Sequence, residues 1–292
     1  MIGSNTPVQR EALETGASLV RLAPTHVRFG TFEYAARAPL PTALTALADF
    51  VVREGYPELD PVAPDRHRRL LEEVVRRTAR LVARWQAVGF THGVMNTDNM
   101  SITGLTLDYG PFAFVETYDP ALVVNHSDPT GRYAFDRQPA VGMWNLAQLA
   151  RALSPLVPLD QAQAALELYE AEFYETYLDL MRRKLGLEGL AGTEDLLEGL
   201  LGAMFEGGAD YTATFRALGA VDPAAPGSDA QVRLAFRDPR PWEAFAPGYL
   251  QRLRVEGVDA AARRARQDRL NPRFVLRTHL AQRAIERAEQ GD

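Results

Sequence analysis

Asn99 and Asp108 carry the side chains in this sequence best suited to holding a hard cation. They flank two short apolar-rich runs, Met100-Ser101-Ile102 and Leu105-Thr106-Leu107, joined by Thr103-Gly104. A two-residue connection in which glycine supplies the unusual backbone angle predicts a tight hairpin. Such a hairpin would hold Asn99 at one mouth and Asp108 at the other, side by side. An amide oxygen and a carboxylate brought together form a site suited to Mg²⁺ bridging phosphates. Asp98 adds a second carboxylate. On an extended backbone it points away from Asn99, which frees it to act as a base rather than a ligand.

The order of these residues resembles a protein-kinase active site, where an H-R-D-x-x-x-x-N catalytic loop precedes a hairpin and then D-F-G. His92 takes the place of the histidine, Asn99 of the asparagine, and Asp108-Tyr109-Gly110 of the D-F-G. The kinase catalytic aspartate falls on Val94, which cannot accept a hydroxyl proton. The metal-binding half is kept, and an ordinary kinase mechanism is excluded at that position.

Over longer runs the sequence resembles the selenoprotein O (SelO) protein adenylyltransferases, which are pseudokinases. The resemblance rests on His-Gly-Val-Met-Asn-Thr-Asp-Asn-Met-Ser-Ile from His92 and Asp-Tyr-Gly-Pro-Phe from Asp108. It continues through Asn125-His126-Ser127-Asp128, the run from Gly131 to Pro139, and Trp144-Asn145-Leu146. Arg21 to Phe32 and Asn271 to Arg277 also fit, so nearly the whole chain is covered. The resemblance implies ATP as substrate, with Mg²⁺ or Mn²⁺ held by Asn99 and Asp108. It implies that Arg21 and Arg28 contact the nucleotide phosphates and that Asp98 is the base. The nucleotide would lie flipped relative to kinases, and AMP would pass to a Ser, Thr or Tyr hydroxyl of a protein. UMP transfer with manganese is implied for some relatives. Taken alone, Arg21 and Arg28 read as two solvated arginines; planar, always-charged guanidinium groups also suit phosphate.

Composition sets the outer limits. The chain has 292 residues, 46% hydrophobic and 24% charged, which is ordinary for a soluble globular protein. A formal charge of −6 gives no electrostatic case for nucleic acid as a partner. The absence of cysteine excludes disulfides, thiolate chemistry and Cys-ligated zinc. No apolar run reaches transmembrane length and no basic-then-apolar leader opens the sequence, so a cytoplasmic protein without a membrane partner is the default.

Several elements must position the loop. The reading expects short extended pieces around Pro24, at Ser18–Leu22 and His26–Phe32, in an otherwise irregular stretch 1–37. Helices are expected over Pro41–Tyr56, Asp65–Val88 (ending at Gly89), Val141–Leu153, Asp160–Leu185, Thr193–Phe205, Asp210–Leu218, Tyr249–Arg266 and Phe274–Glu289. Asn125 to Asp128 reads as a capped turn ahead of a ligand cluster, since no second histidine lies nearby. Arg132, Asp136 and Arg137 are expected to form ion pairs. Arg263, Arg264 and Arg266 read as a solvated face.

The resulting fold class is α+β, mostly α: a kinase-like C-terminal lobe over 38–292 with family-specific helices, preceded by a connecting segment over 1–37 that carries the phosphate-binding arginines. Lys184 is the only lysine and lies after the metal loop, so it cannot be the lysine with which a kinase-type N-terminal lobe holds phosphate. The reading therefore expects that lobe to be missing, the nucleotide pocket to lack one wall, and transfer by the isolated chain to be impaired or lost. A separate chain supplying the lobe, or a non-catalytic binding or regulatory module, follows as the alternative to an active enzyme.

Overall fold

The computed structural model describes residues 2–9, 13–40 and 42–290. Helix dominates, with a few short strands, so the mostly-α class holds. The first stretch is more regular than expected. Strand β1 (Ile2–Gln9) pairs antiparallel with β2 (Leu13–Ser18), with an irregularity between Gly3 and Pro7. Gly3, Asn5 and Pro7 are poor strand formers and hide the hairpin from a pattern search.

The second correction falls on His26–Phe32. Val27 and Arg28 are extended, but Phe29–Arg37 is a helix, α1. Phe29 and Phe32 stand one helical turn apart and are both fully buried; that three-residue spacing overrides the alternating pattern. The extended part pairs with the loop that carries Asn99 and Asp108. The Phe29 N–H donates to the Met100 carbonyl at 3.0 Å, the Ile102 N–H donates to Val27 at 3.1 Å, and Arg28 lies opposite Ser101.

Helix α2 (Ala43–Gly55) buries Leu44, Ala48, Val51 and Val52. Pro41, the expected first residue, lies outside the described residues. Tyr56 follows, and its hydroxyl donates to the Ile102 carbonyl at 2.5 Å. Helix α3 (Arg66–Val88) places Leu70, Val74, Thr78, Leu81 and Trp85 inside. It stops at Gly89, whose φ of 74° is left-handed. A Cβ there would also lie 2.8 Å from the Tyr211 ring, so glycine is required twice over.

Strand β3 (Phe90–Thr91) pairs antiparallel with β4 (Ala113–Phe114). Between them runs the loop that carries Asn99 and Asp108. Helix α4 (Gln138–Ala152) begins three residues earlier than expected, with Pro139 tolerated in its first turn. Helix α5 (Leu159–Lys184) packs along α3. Helices α6 (Thr193–Glu206) and α7 (Tyr211–Leu218) follow. The Asp210 carboxylate caps α7 by accepting the Ala213 N–H at 2.8 Å.

The expected single helix Tyr249–Arg266 is two. Short α8 (Ala230–Leu234) precedes α9 (Arg240–Glu256), which ends at left-handed Gly257; α10 (Ala260–Leu270) restarts at the Asp259 cap. Glycine and a capping aspartate two residues apart stop and restart the helix. Arg263 departs from the solvated face: it is 1% exposed and donates to the Val221 carbonyl, whereas Arg264 and Arg266 pair with Asp268 and Glu188 at the surface. Helix α11 (Thr278–Glu289) starts four residues after the expected Phe274.

Two apolar clusters form the core. One joins α1 to α5 and takes in Met95, Met100 and Ile102 of the loop between β3 and β4; the other joins the end of α5 to α6, α7 and α9. Lys184 sits fully inside, its Nζ 2.6 Å from the Ala87 carbonyl and 4.4 Å from the Phe215 ring centre. Among the described residues no helix is long and apolar enough to cross a membrane.

Candidate active site

The expected hairpin exists in a different register. Met100 pairs with Thr106, and Gly104 is left-handed at φ 72°. The connection is therefore a three-residue loop, Ile102–Gly104, rather than the two-residue Thr103-Gly104 turn. Burial of Ile102 and the hydrogen bond it receives from Tyr56 draw it into the turn. Asn99 is not in an extended strand either, because Thr97–Asn99 is a single 3-10 turn.

One imidazole ties the two halves of the loop together. His92 Nε2 lies 2.9 Å from the Leu107 carbonyl, and the Val94 N–H points at Nδ1 at 3.4 Å. This assigns the neutral tautomer with its proton on Nε2. Burial pushes the His92 pKa below its ordinary value, against the pull of the Leu107 carbonyl and Asp108. The ring therefore stays neutral at physiological pH. Asn99 joins the same cluster: its Nδ2 donates to the Val94 carbonyl at 2.9 Å. That bond commits the amide nitrogen and leaves Oδ1 as the atom available to a cation. Asn99 and Asp108 are thus linked through Val94, His92 and Leu107.

Asp108 has φ 61°, the only positive φ outside glycine among the described residues. Its carbonyl accepts the Gly110 N–H at 3.0 Å, closing a tight turn over Tyr109. A left-handed aspartate costs about 1 kcal/mol, and such outliers gather at working sites. Tyr109 is half exposed and packs edge-on to Phe112 at 5.3 Å.

The other expected residues reach the same loop. The Arg21 guanidinium lies 5.5 Å from the Tyr109 ring centre. Arg28 is held against Ser101, and its Nε is buried with no hydrogen-bond partner among the described residues. An orphaned buried guanidinium nitrogen is costly unless a ligand oxygen meets it. Asp98 is exposed on the 3-10 turn, with its carboxylate over Gly30 in the first turn of α1. A Cβ at Gly30 would fall 1.9 Å from Asp98 Oδ1, so glycine there makes the room the carboxylate occupies.

Two positioning residues stood in the sequence only as letters of matched runs. Gln138, fully buried, donates to the Phe90 carbonyl at 2.9 Å and accepts the His92 N–H at 2.8 Å. Asn145, also fully buried, donates to the Met95 carbonyl at 2.8 Å. Two amides on the inner face of an otherwise apolar helix were the available signal.

The donor set fits a divalent cation shared with phosphates. Asn99 Oδ1 and the Asp108 carboxylate are hard oxygens, and among the described residues no cluster of three or more His, Cys, Asp or Glu side chains forms an all-protein cage. Mg²⁺ usually takes one or two protein oxygens and completes its shell with phosphate and water. Asn125 to Asp128 forms the capped turn expected: Asn125 accepts the Ser127 N–H, and Asp128 accepts those of Arg132 and Tyr133.

The loop thus carries two hard-oxygen side chains and a left-handed aspartate, with Arg21 and Arg28 beside it lacking a carboxylate partner among the described residues. The family model described as Protein adenylyltransferase SelO matches residues 1–292. The chain is 50% identical over 293 residues to a protein nucleotidyltransferase YdiU of Myxococcus xanthus. It is 51% identical over 300 residues to that of Thioalkalivibrio sulfidiphilus, and 47% over 293 residues to that of Salmonella schwarzengrund. The chain belongs to the SelO family. In each comparison all of this chain is matched, and it spans 60% of the length of the curated relative.

Proposed function

We propose that this chain carries the metal- and phosphate-binding face of a protein nucleotidyltransferase that moves AMP from ATP to Ser, Thr or Tyr hydroxyls of proteins. Residues 38–292 would form a kinase-like C-terminal lobe, with 1–37 as the connecting segment. The observation that carries the reading is the His92 clamp, which joins the Asn99 and Asp108 halves of the loop.

Arg21 and Arg28 hold phosphate oxygens and orient the nucleotide. Asn99 Oδ1 and the Asp108 carboxylate hold Mg²⁺ or Mn²⁺, which when bound neutralises phosphate charge. Asp98 accepts the proton of the acceptor hydroxyl. The hydroxyl oxygen forms its bond to the α-phosphorus as the bond from that phosphorus to the bridging oxygen breaks, and pyrophosphate leaves. Positioning and charge neutralisation supply the acceleration.

The test is incubation with Mg²⁺ or Mn²⁺ and ATP labelled at either the α- or the γ-phosphate. Label from the α-position in the protein band is expected. Label from the γ-position alone would make the chain a phosphotransferase, and no label from either would leave a non-catalytic module.

Gly30→Ala tests the base. The added methyl displaces the Asp98 carboxylate, the flexible end of a side chain, while alanine gains helix propensity of up to about 1 kcal/mol over glycine. Transfer is expected to fall roughly tenfold, the cost of one misplaced group, with unchanged or higher thermal stability. Full activity in this variant would remove Asp98 from the reaction.

A further inference from the structure

The cleft between the 130–137 loop and the outer face of α4 takes no part in the nucleotide chemistry above. It is an open groove of about 580 Å³, lined by Thr130, Arg132, Arg137, Ala140, Val141 and Trp144. The expected ion pairs of Arg132, Asp136 and Arg137 do not form. The Arg132 guanidinium instead lies over the Trp144 indole, 4.5 Å from the ring centre, and Trp144 is 43% exposed. Neither Arg132 nor Arg137 has a carboxylate partner among the described residues.

Asp128 and Asp136 lie close in sequence, and neither pairs with Arg132 or Arg137 among the described residues. The Asp128 carboxylate is taken up by the backbone N–H groups of Arg132 and Tyr133 and by the Thr130 hydroxyl. Arg137 immediately precedes α4, and Arg132 lies over Trp144 in its second turn. Over 128–137 two arginines and two aspartates balance, so the positive charge an acidic ligand would meet is that of the two guanidinium groups themselves.

The cleft adjoins the reacting loop. Gln138, which holds His92, directly follows Arg137; Asn145, which holds Met95, directly follows Trp144. A guanidinium stacked on an indole keeps its N–H edge free and pre-oriented for two-point contact with a carboxylate.

We propose that this cleft receives an aspartate or glutamate side chain of the acceptor protein, near in sequence to the hydroxyl that is modified. The proposal rests on the nucleotidyltransferase reading for the identity of the acceptor. The binding chemistry stands apart from it. The indole and the side chains of Ala140 and Val141 cover the stem of the acidic residue, and the two arginines take its oxygens.

Fluorescence anisotropy of labelled serine peptides, without nucleotide or metal, tests it. Peptides flanked by Glu, by Gln and by phosphoserine are compared on the wild-type chain and on Arg132→Gln/Arg137→Gln. Both arginines are exposed, so the variant keeps its fold. The Glu peptide is expected to bind at least tenfold more tightly than the Gln peptide, with the difference lost in the variant. Equal binding of Glu and Gln peptides, a preference that survives in the variant, or binding of the phosphoserine peptide alone would each overturn the proposal. With ATP present, the variant should raise the acceptor KM for the Glu peptide; an unchanged KM would also overturn it. Glu-selective binding with no α-label ever entering protein would keep the cleft and remove the transferase reading.

Discussion

Asp108→Asn is expected to lower nucleotide transfer by about a thousandfold or more, the scale of losing a group that neutralises charge in the transition state. Asparagine has nearly the shape of aspartate and tolerates the left-handed backbone at φ 61°. The substitution therefore removes the negative charge and keeps the turn. His92 still meets the Leu107 carbonyl, because that bond is made by the backbone of the preceding residue. Thermal stability should change by less than about 1 kcal/mol, as for a substitution that leaves no new cavity or unpaired buried group. The same measurement on Asp108→Ala would add the cost of an unfavourable residue in a left-handed position. Transfer from α-labelled ATP within tenfold of wild type in Asp108→Asn would dissociate this carboxylate from the reaction.

The wild-type chain is expected to gain stability with pH between pH 7 and 10.5, and Lys184→Met should abolish that dependence. Burial without a carboxylate partner lowers the Lys184 pKa from 10.5 to about 7. Between those values the unfolded chain binds the proton and the folded chain does not, so stability rises with pH. Below pH 7 both forms are charged and the folded state bears the full cost of the buried ammonium, on the order of 5 kcal/mol for this shift. The slope in the window approaches about 1.4 kcal/mol per pH unit.

Methionine fills the same space without charge. Ala87 keeps a donor, since the Tyr211 hydroxyl lies 3.2 Å from its carbonyl. The variant should thus be the more stable protein at pH 6. Lys184 is the only lysine, so few other groups titrate below pH 9.5, where tyrosines begin to contribute. Urea midpoints from pH 6 to 9.5 measure the effect; parallel curves for the two proteins would show that Lys184 carries no shifted proton.

Much of the helical framework could be read before any coordinates. Helix α3 has a clean apolar stripe and a glycine stop, and the structure ends it at Gly89. Two features escaped for definable reasons. The α1 helix hides because Val27 and Arg28 are extended immediately before it, so a single pattern search spans two conformations. The hairpin register escaped because Thr103-Gly104 satisfies the two-residue rule locally, while Tyr56, far back in the chain, holds Ile102 in the turn. Spacing alone pointed to Asn99 and Asp108 as candidates, whereas Arg21 and Arg28 entered only through the family resemblance. The roles of Gln138 and Asn145 were not read, because their backbone partners at Phe90, His92 and Met95 lie far off in sequence.

The Gln138 side chain meets Phe90 and His92 as a neighbouring peptide unit would, giving one hydrogen bond and taking another. It ties the start of α4 to the floor of the loop that carries Asn99 and Asp108, so any shift of one would be felt by the other. Any ligand that prefers one position of α4 must, by reciprocity, change the loop's affinity for what it binds. The cation would in turn change how tightly the outer face of α4 is occupied, so the two surfaces would titrate as a single linked system.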